Sequence, residues 1–181
     1  MHAAYLFPTL DVFNQFRPIR ELTILLTLAA VAMSTAPVAA GTPPPVTPFE
    51  ASSGRRTPRY DETVSWLRDL SAASPLLEYA TFGTSPEGRA LPLIVADLRG
   101  RFTAEALADR GPDHAVVLVQ ACIHAGESCG KDAGMLLLRD LAADPALADR
   151  LLDHVTLLFI PIFNVDGHER FSAWGRINQN G

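Results

Sequence analysis

Apolar side chains recur at helical spacing over residues 61–73, where Val64, Trp66, Leu67 and Leu70 share a face and Pro75 stops the run. Residues 77–82 then alternate as a strand does. Turn chemistry over 83–88 leads into a second apolar stretch at 91–98, so the two strands are expected to form a hairpin. A polar connection covers 99–114. The stretch 115–123 is almost wholly apolar and rich in β-branched residues, which predicts a strand covered on both faces. Ala133, Met135, Leu136, Leu137, Leu138 and Leu141 predict an amphipathic helix over 130–141, and a short helix is expected over 145–152. A last buried strand is expected over 155–163. Strand, helices, strand in that order implies a right-handed crossover and parallel pairing. With the antiparallel hairpin, the fold class is α/β, a mixed sheet with flanking helices.

Upstream of these elements the pattern changes. Residues 22–33 form an apolar run of the length of a signal-peptide core, preceded by Arg17 and Arg20 and followed by the small residues Val38 and Ala40. The run is too short to span a bilayer. A buried core helix is the competing reading, which Pro37 and the prolines after it oppose. The expected organisation is a signal peptide over 1–40 cleaved after Ala40, a Pro/Ser/Thr-rich linker over 41–59 and a folded domain over 60–181. That places the mature protein in a secreted or periplasmic compartment, with no stable membrane insertion after cleavage.

Composition narrows the partners. The chain of 181 residues is 48% hydrophobic with a formal net charge of -5, and no Lys/Arg run gives a footprint for nucleic acid. Small molecules and peptides remain. Cys122 and Cys129 are too few for a disulfide framework, so a hydrophobic core has to supply stability.

In open α/β sheets, ligands gather at the carboxyl ends of strands, and two motifs are expected there. At the first, His124-Ala125-Gly126-Glu127, an imidazole nitrogen and a carboxylate across a short turn are able to face one cation, and Gly126 lets the backbone bend freely. The structural alternative is a strand-end histidine bonded to backbone and a carboxylate favoured by a helix N-terminus. The second, Pro161-Ile162-Phe163-Asn164-Val165-Asp166-Gly167, reads by itself as a turn in which Asn and Asp bond their own backbone and Gly takes positive φ.

Taken together, three stretches resemble the zinc metallocarboxypeptidases of the carboxypeptidase A type. Residues 81–93, Thr-Phe-Gly-Thr-Ser-Pro-Glu-Gly-Arg-Ala-Leu-Pro-Leu, look like that family's early hairpin. Residues 120–132, Gln-Ala-Cys-Ile-His-Ala-Gly-Glu-Ser-Cys-Gly-Lys-Asp, look like its zinc motif, and Asn164 to Gly167 matches its Asn-Pro-Asp-Gly with Val165 in place of proline. The resemblance covers roughly residues 60–181 and implies a carboxypeptidase-like sheet, cut short at its C-terminus. It also implies one Zn²⁺ ion with His124 and Glu127 as ligands, and a peptide substrate whose carbonyl is attacked by a zinc-activated water.

The family's third histidine ligand and general-base glutamate have no counterpart before Gly181, so little hydrolysis is expected of these residues by themselves. Arg176 is the one candidate for the family's oxyanion-stabilising arginine. Gly126 stands where some members carry a substrate-binding arginine, which keeps open a zinc deacylase or amidase of the same fold. A non-catalytic truncated product is the third reading. Cys122 and Cys129 are read as packing residues or a local disulfide, and His154 and His168 as solvated or locally bonded rather than as ligands.

Overall fold

The structure, a computed structural model, describes residues 44–171. Four strands form one sheet in the order β1-β2-β4-β3: β1 (Leu77–Thr84), β2 (Ala90–Ala96), β3 (Ala115–Gln120) and β4 (Val155–Ile160). β1 and β2 form the expected antiparallel hairpin, β2 pairs antiparallel with β4, and β3 runs parallel to β4 with Val119 opposite Phe159. The sheet is therefore mixed, with helices flanking it.

Six helices accompany it among the described residues: α1 (Pro48–Ala51), α2 (Tyr60–Ala73), α3 (Ala104–Ala108), α4 (Cys129–Ala143), α5 (Pro145–Leu152) and α6 (Val165–Glu169). The main core joins Leu67 and Leu70 of α2, Ile94 and Ala96 of β2, Met135, Leu138 and Leu141 of α4, Ala148 and Leu152 of α5, and Leu157 and Phe159 of β4. Burying each such large aliphatic or aromatic side chain is worth about 1.5–3 kcal/mol, which drives the three longer helices onto the sheet. Gly134 is what lets α4 approach: a Cβ there would lie 2.1 Å from the Phe159 ring. A buried polar knot closes the far end of the sheet, where Arg101 forks onto Asp97, and Thr156 hydrogen-bonds both Asp97 and His114.

Three expectations need correction. β3 was expected to be covered on both faces and to reach residue 123; it ends at Gln120 and all six of its residues are exposed. The reason is its place in the sheet: it pairs with β4 alone, and no further strand among the described residues takes its other edge. Residues 44–59, expected to belong to a flexible linker, pack on the domain instead. Thr47 is buried and caps α1, Glu50 pairs with Arg139 of α4 at 2.5 Å, and Trp66 donates to the Val46 carbonyl. The third correction concerns Asn164 to Gly167, read as a turn with glycine at positive φ: these residues open α6, and Gly167 is helical. Residues 1–43, with the predicted signal peptide, lie outside the described residues, as does Arg176.

Candidate metal centre at the ends of two parallel strands

β3 and β4 deliver their C-terminal loops side by side because their pairing continues past the strands. Ala121 N donates to Ile160 O, Phe163 N to Ala121 O and Asn164 N to Cys122 O, at 2.9–3.0 Å. The chain turns out of β3 at Cys122, whose φ of 50° places a non-glycine residue in the left-handed region, a conformation that costs of order 1 kcal/mol. Its buried thiol donates toward the Glu127 carbonyl at 3.6 Å, and burial pushes the thiol up to about 11. Cys122 is thus a packing residue rather than a reactive one. Both cysteines are free, Cys129 being exposed.

The next turn carries the first motif. Glu127 N donates to His124 O at 3.0 Å, and this folds the two side chains onto the same side. His124 Nδ1 lies 3.2 Å from Glu127 Oε2, with the side chains 44% and 45% exposed. Two donors of the types zinc prefers therefore converge at an open, solvent-facing mouth. The donor set fits a divalent cation, and ligation through Nδ1 requires the ring proton to sit on Nε2. Among the described residues no group of three or more His, Cys, Asp or Glu side chains gathers to hold a metal.

The hairpin and the second motif are locked to each other. Asp166 accepts from Ser85 Oγ at 2.8 Å, from Glu87 N at 3.1 Å and from Arg89 Nη1 at 2.7 Å. Burial raises the Asp166 carboxyl, but the hydrogen bonds from Ser85 and Arg89 outweigh it and hold the group below its usual range. Glu87 also pairs with Arg170 at 2.8 Å, and Phe82 stacks on Phe163 with centroids 6.5 Å apart. Asn164 caps α6 by accepting from Gly167 N. Gly167 has to be glycine because an added Cβ would sit 2.9 Å from Ala125 Cβ, within the motif that carries His124 and Glu127.

Where the three motif stretches meet is thus one corner of the molecule, and a zinc carboxypeptidase family description (Peptidase_M14) matches residues 63–181. The chain belongs to the zinc carboxypeptidase family. Among curated relatives, "Carboxypeptidase 2" of Trichophyton equinum is 30% identical over 70% of this chain and 23% of its own length. "Probable carboxypeptidase 2" of Arthroderma benhamiae is likewise 30% identical over 70% of this chain and 24% of its own. The chain therefore spans about a quarter of the length of these relatives. Two solved structures share the family fold. Carboxypeptidase A from Helicoverpa armigera superposes with a TM-score of 0.53 at 20% identity, covering 67% of this chain and 30% of that one. Bovine thrombin-activatable fibrinolysis inhibitor, solved in complex with tick carboxypeptidase inhibitor, gives 0.53 at 18% identity, covering 67% and 36%.

Of the remaining histidines, His154 is exposed beside Asp153 at 3.3 Å. His168 is buried and locally bonded, to Lys131 Nζ through Nε2 and to Glu169 through Nδ1, each at 3.0 Å. Lys131 was not singled out by the sequence reading, although its signal is there: it occupies the same buried stripe of α4 as Met135 and Leu138, a charged residue at an apolar position.

Proposed function

We infer that this chain carries part of a zinc carboxypeptidase site, with His124 and Glu127 as two ligands of one Zn²⁺ ion and a peptide as substrate. The observation that carries the reading is the convergence of His124 Nδ1 and Glu127 Oε2, 3.2 Å apart, at the C-terminal end of a parallel strand. Family membership supports it independently. Bound zinc supplies Lewis acidity to polarise a peptide carbonyl and to make water nucleophilic at neutral pH. His124 offers the Nδ1 lone pair, and the Glu127 carboxylate offsets one unit of the ion's charge. The backbone bonds between the 121–124 and 160–164 loops keep both groups on one rigid shelf.

Arg176 is assigned the oxyanion role by the family resemblance alone. A catalytic zinc takes three protein ligands, and this pair provides two, so these 181 residues by themselves are proposed to hydrolyse little. Export through the 1–40 segment, with a mature N-terminus at Gly41, belongs to the same proposal; Met1 on the secreted protein would contradict it.

Gly126, in place of a substrate-binding arginine, favours a second reading: a zinc amidase that does not need a free C-terminal carboxylate. Comparing turnover of one peptide with a free and with an amidated C-terminus, using the complete gene product, decides between them. Cleavage of the free form alone marks a carboxypeptidase, and equal cleavage of both marks an amidase. In either case His124→Ala is expected to abolish turnover, and an undiminished rate would refute the site assignment.

A further inference from the structure

Lys131 is among the largest fully buried side chains of the described residues and stands in the first turn of α4, four residues after Glu127. Burying an ammonium is expensive where a Met or Leu would pack without penalty, and buried ion sites are best attested as devices that fix register. Lys131 Nζ donates to Pro58 O and lies 3.0 Å from His168 Nε2. An ammonium has only protons to offer, so Nε2 has to supply the lone pair and the ring proton sits on Nδ1. There it points at Glu169 Oε1, 3.0 Å away, which also accepts from Tyr60 N at 2.9 Å.

The chain of contacts therefore runs from Pro58 through Lys131, His168 and Glu169 to Tyr60. It clamps the start of α2, the first turn of α4 and α6 into one unit. Cys122, Ile162 and Val165 form a small core against Tyr60 and Leu91, and Cys122 opens the loop that carries His124. We propose that Lys131 and His168 are positioning residues for the His124–Glu127 pair, holding the first turn of α4 against α6 only while the His168 ring is neutral. The inference rests on the zinc reading for its consequence, but not for its geometry.

The switch follows from what faces the two groups. His168 is met by Lys131 from α4, Glu169 from its own helix and Arg59 from the approach to α2, with the Phe171 ring packed edge-on at 5.4 Å between centroids. Lys131 is met by Asp132 on α4, Glu62 on α2, Glu169 on α6 and the thiol of Cys122. A second proton on His168 has to go on Nε2, which would set N–H against the Lys131 ammonium and break the central link. Burial and the Lys131 charge both hold the ring below its ordinary value, so the clamp persists at neutral pH and opens as the medium becomes acid.

Long-range ¹⁵N–¹H NMR on the labelled chain reads His168 directly. The expected result is an Nδ1-protonated ring that takes its second proton only below the ordinary histidine range, with the Glu127 and Ser128 amides shifting as His168 titrates. An Nε2-protonated ring, or amides over 124–128 that ignore His168, overturns the proposal. Zinc affinity, by competition with a chromophoric chelator at neutral pH, is the second readout. Lys131→Met and His168→Leu should each weaken it about tenfold, the low end for groups that orient ligands, and His168→Gln, which keeps a donor and an acceptor, should restore most of it. Wild-type affinity in a folded Lys131→Met variant overturns the proposal. If His124→Ala binds zinc as well as wild type, the zinc reading has failed, and the NMR coupling still decides the clamp.

Discussion

Asp97 has no exposure to solvent, yet it is ionised. Burial raises its carboxyl, but hydrogen bonds from Arg101, Thr156 and two backbone amides bring it down to about 2, against an ordinary 3.8. A depressed carboxylate stabilises the fold above its unfolded value, and that stability is lost as pH falls toward the folded one. On the order of 2 kcal/mol is at stake. Neighbouring His114 is lowered, first by burial and then by Arg101, so the unfolded chain binds its proton first and stability already declines below pH 6.5. Urea unfolding between pH 7 and 2 should therefore show two successive losses, and Asp97→Asn should reduce the more acid one, to which depressed carboxylates such as Asp166 also contribute. At Gly134, where an added Cβ would strike Phe159, Gly134→Ala is expected to cost about 1–3 kcal/mol by the same assay.

At the scale of elements, the hairpin and α6 are joined chiefly through Asp166. Arg89→Ala and Asp166→Ala together should destabilise less than the sum of the two single changes, with a coupling of about 0.5–3 kcal/mol in a double-mutant cycle; strict additivity would show the link to be inert. The elements themselves were largely legible. Periodicity located α2, α4, α5 and the β1–β2 hairpin within a few residues, because each buries one face in a shared core. The short helices α1, α3 and α6 were not, since one turn leaves no period to read and each depends on a cap, from Thr47, Thr103 and Asn164. At the proposed site, the approach of His124 to Glu127 was legible as a spacing of donors. The Asp166 lock and the Lys131–His168 pair were not, because they join residues 77–81 and 37 positions apart.

At the scale of the 181-residue chain, β3 is the exposed apolar edge of the sheet among the described residues. Val116, Val117, Leu118 and Val119 are each 40–52% exposed on an edge strand without charge or proline to blunt it. Such an edge recruits other strands. Light scattering of the 181-residue chain is expected to show concentration-dependent association, which Leu118→Lys should reduce; equal scattering by both would show that β3 is not the contact. No helix among the described residues is long and apolar enough to cross a membrane.

The direct test of the central claim is calorimetric titration of Zn²⁺ into the chain and into His124→Ala and Glu127→Gln, with folding verified for each. The account predicts that either substitution weakens binding by more than about a hundredfold, beyond the range for residues that merely orient ligands. Wild-type affinity in either variant would contradict it.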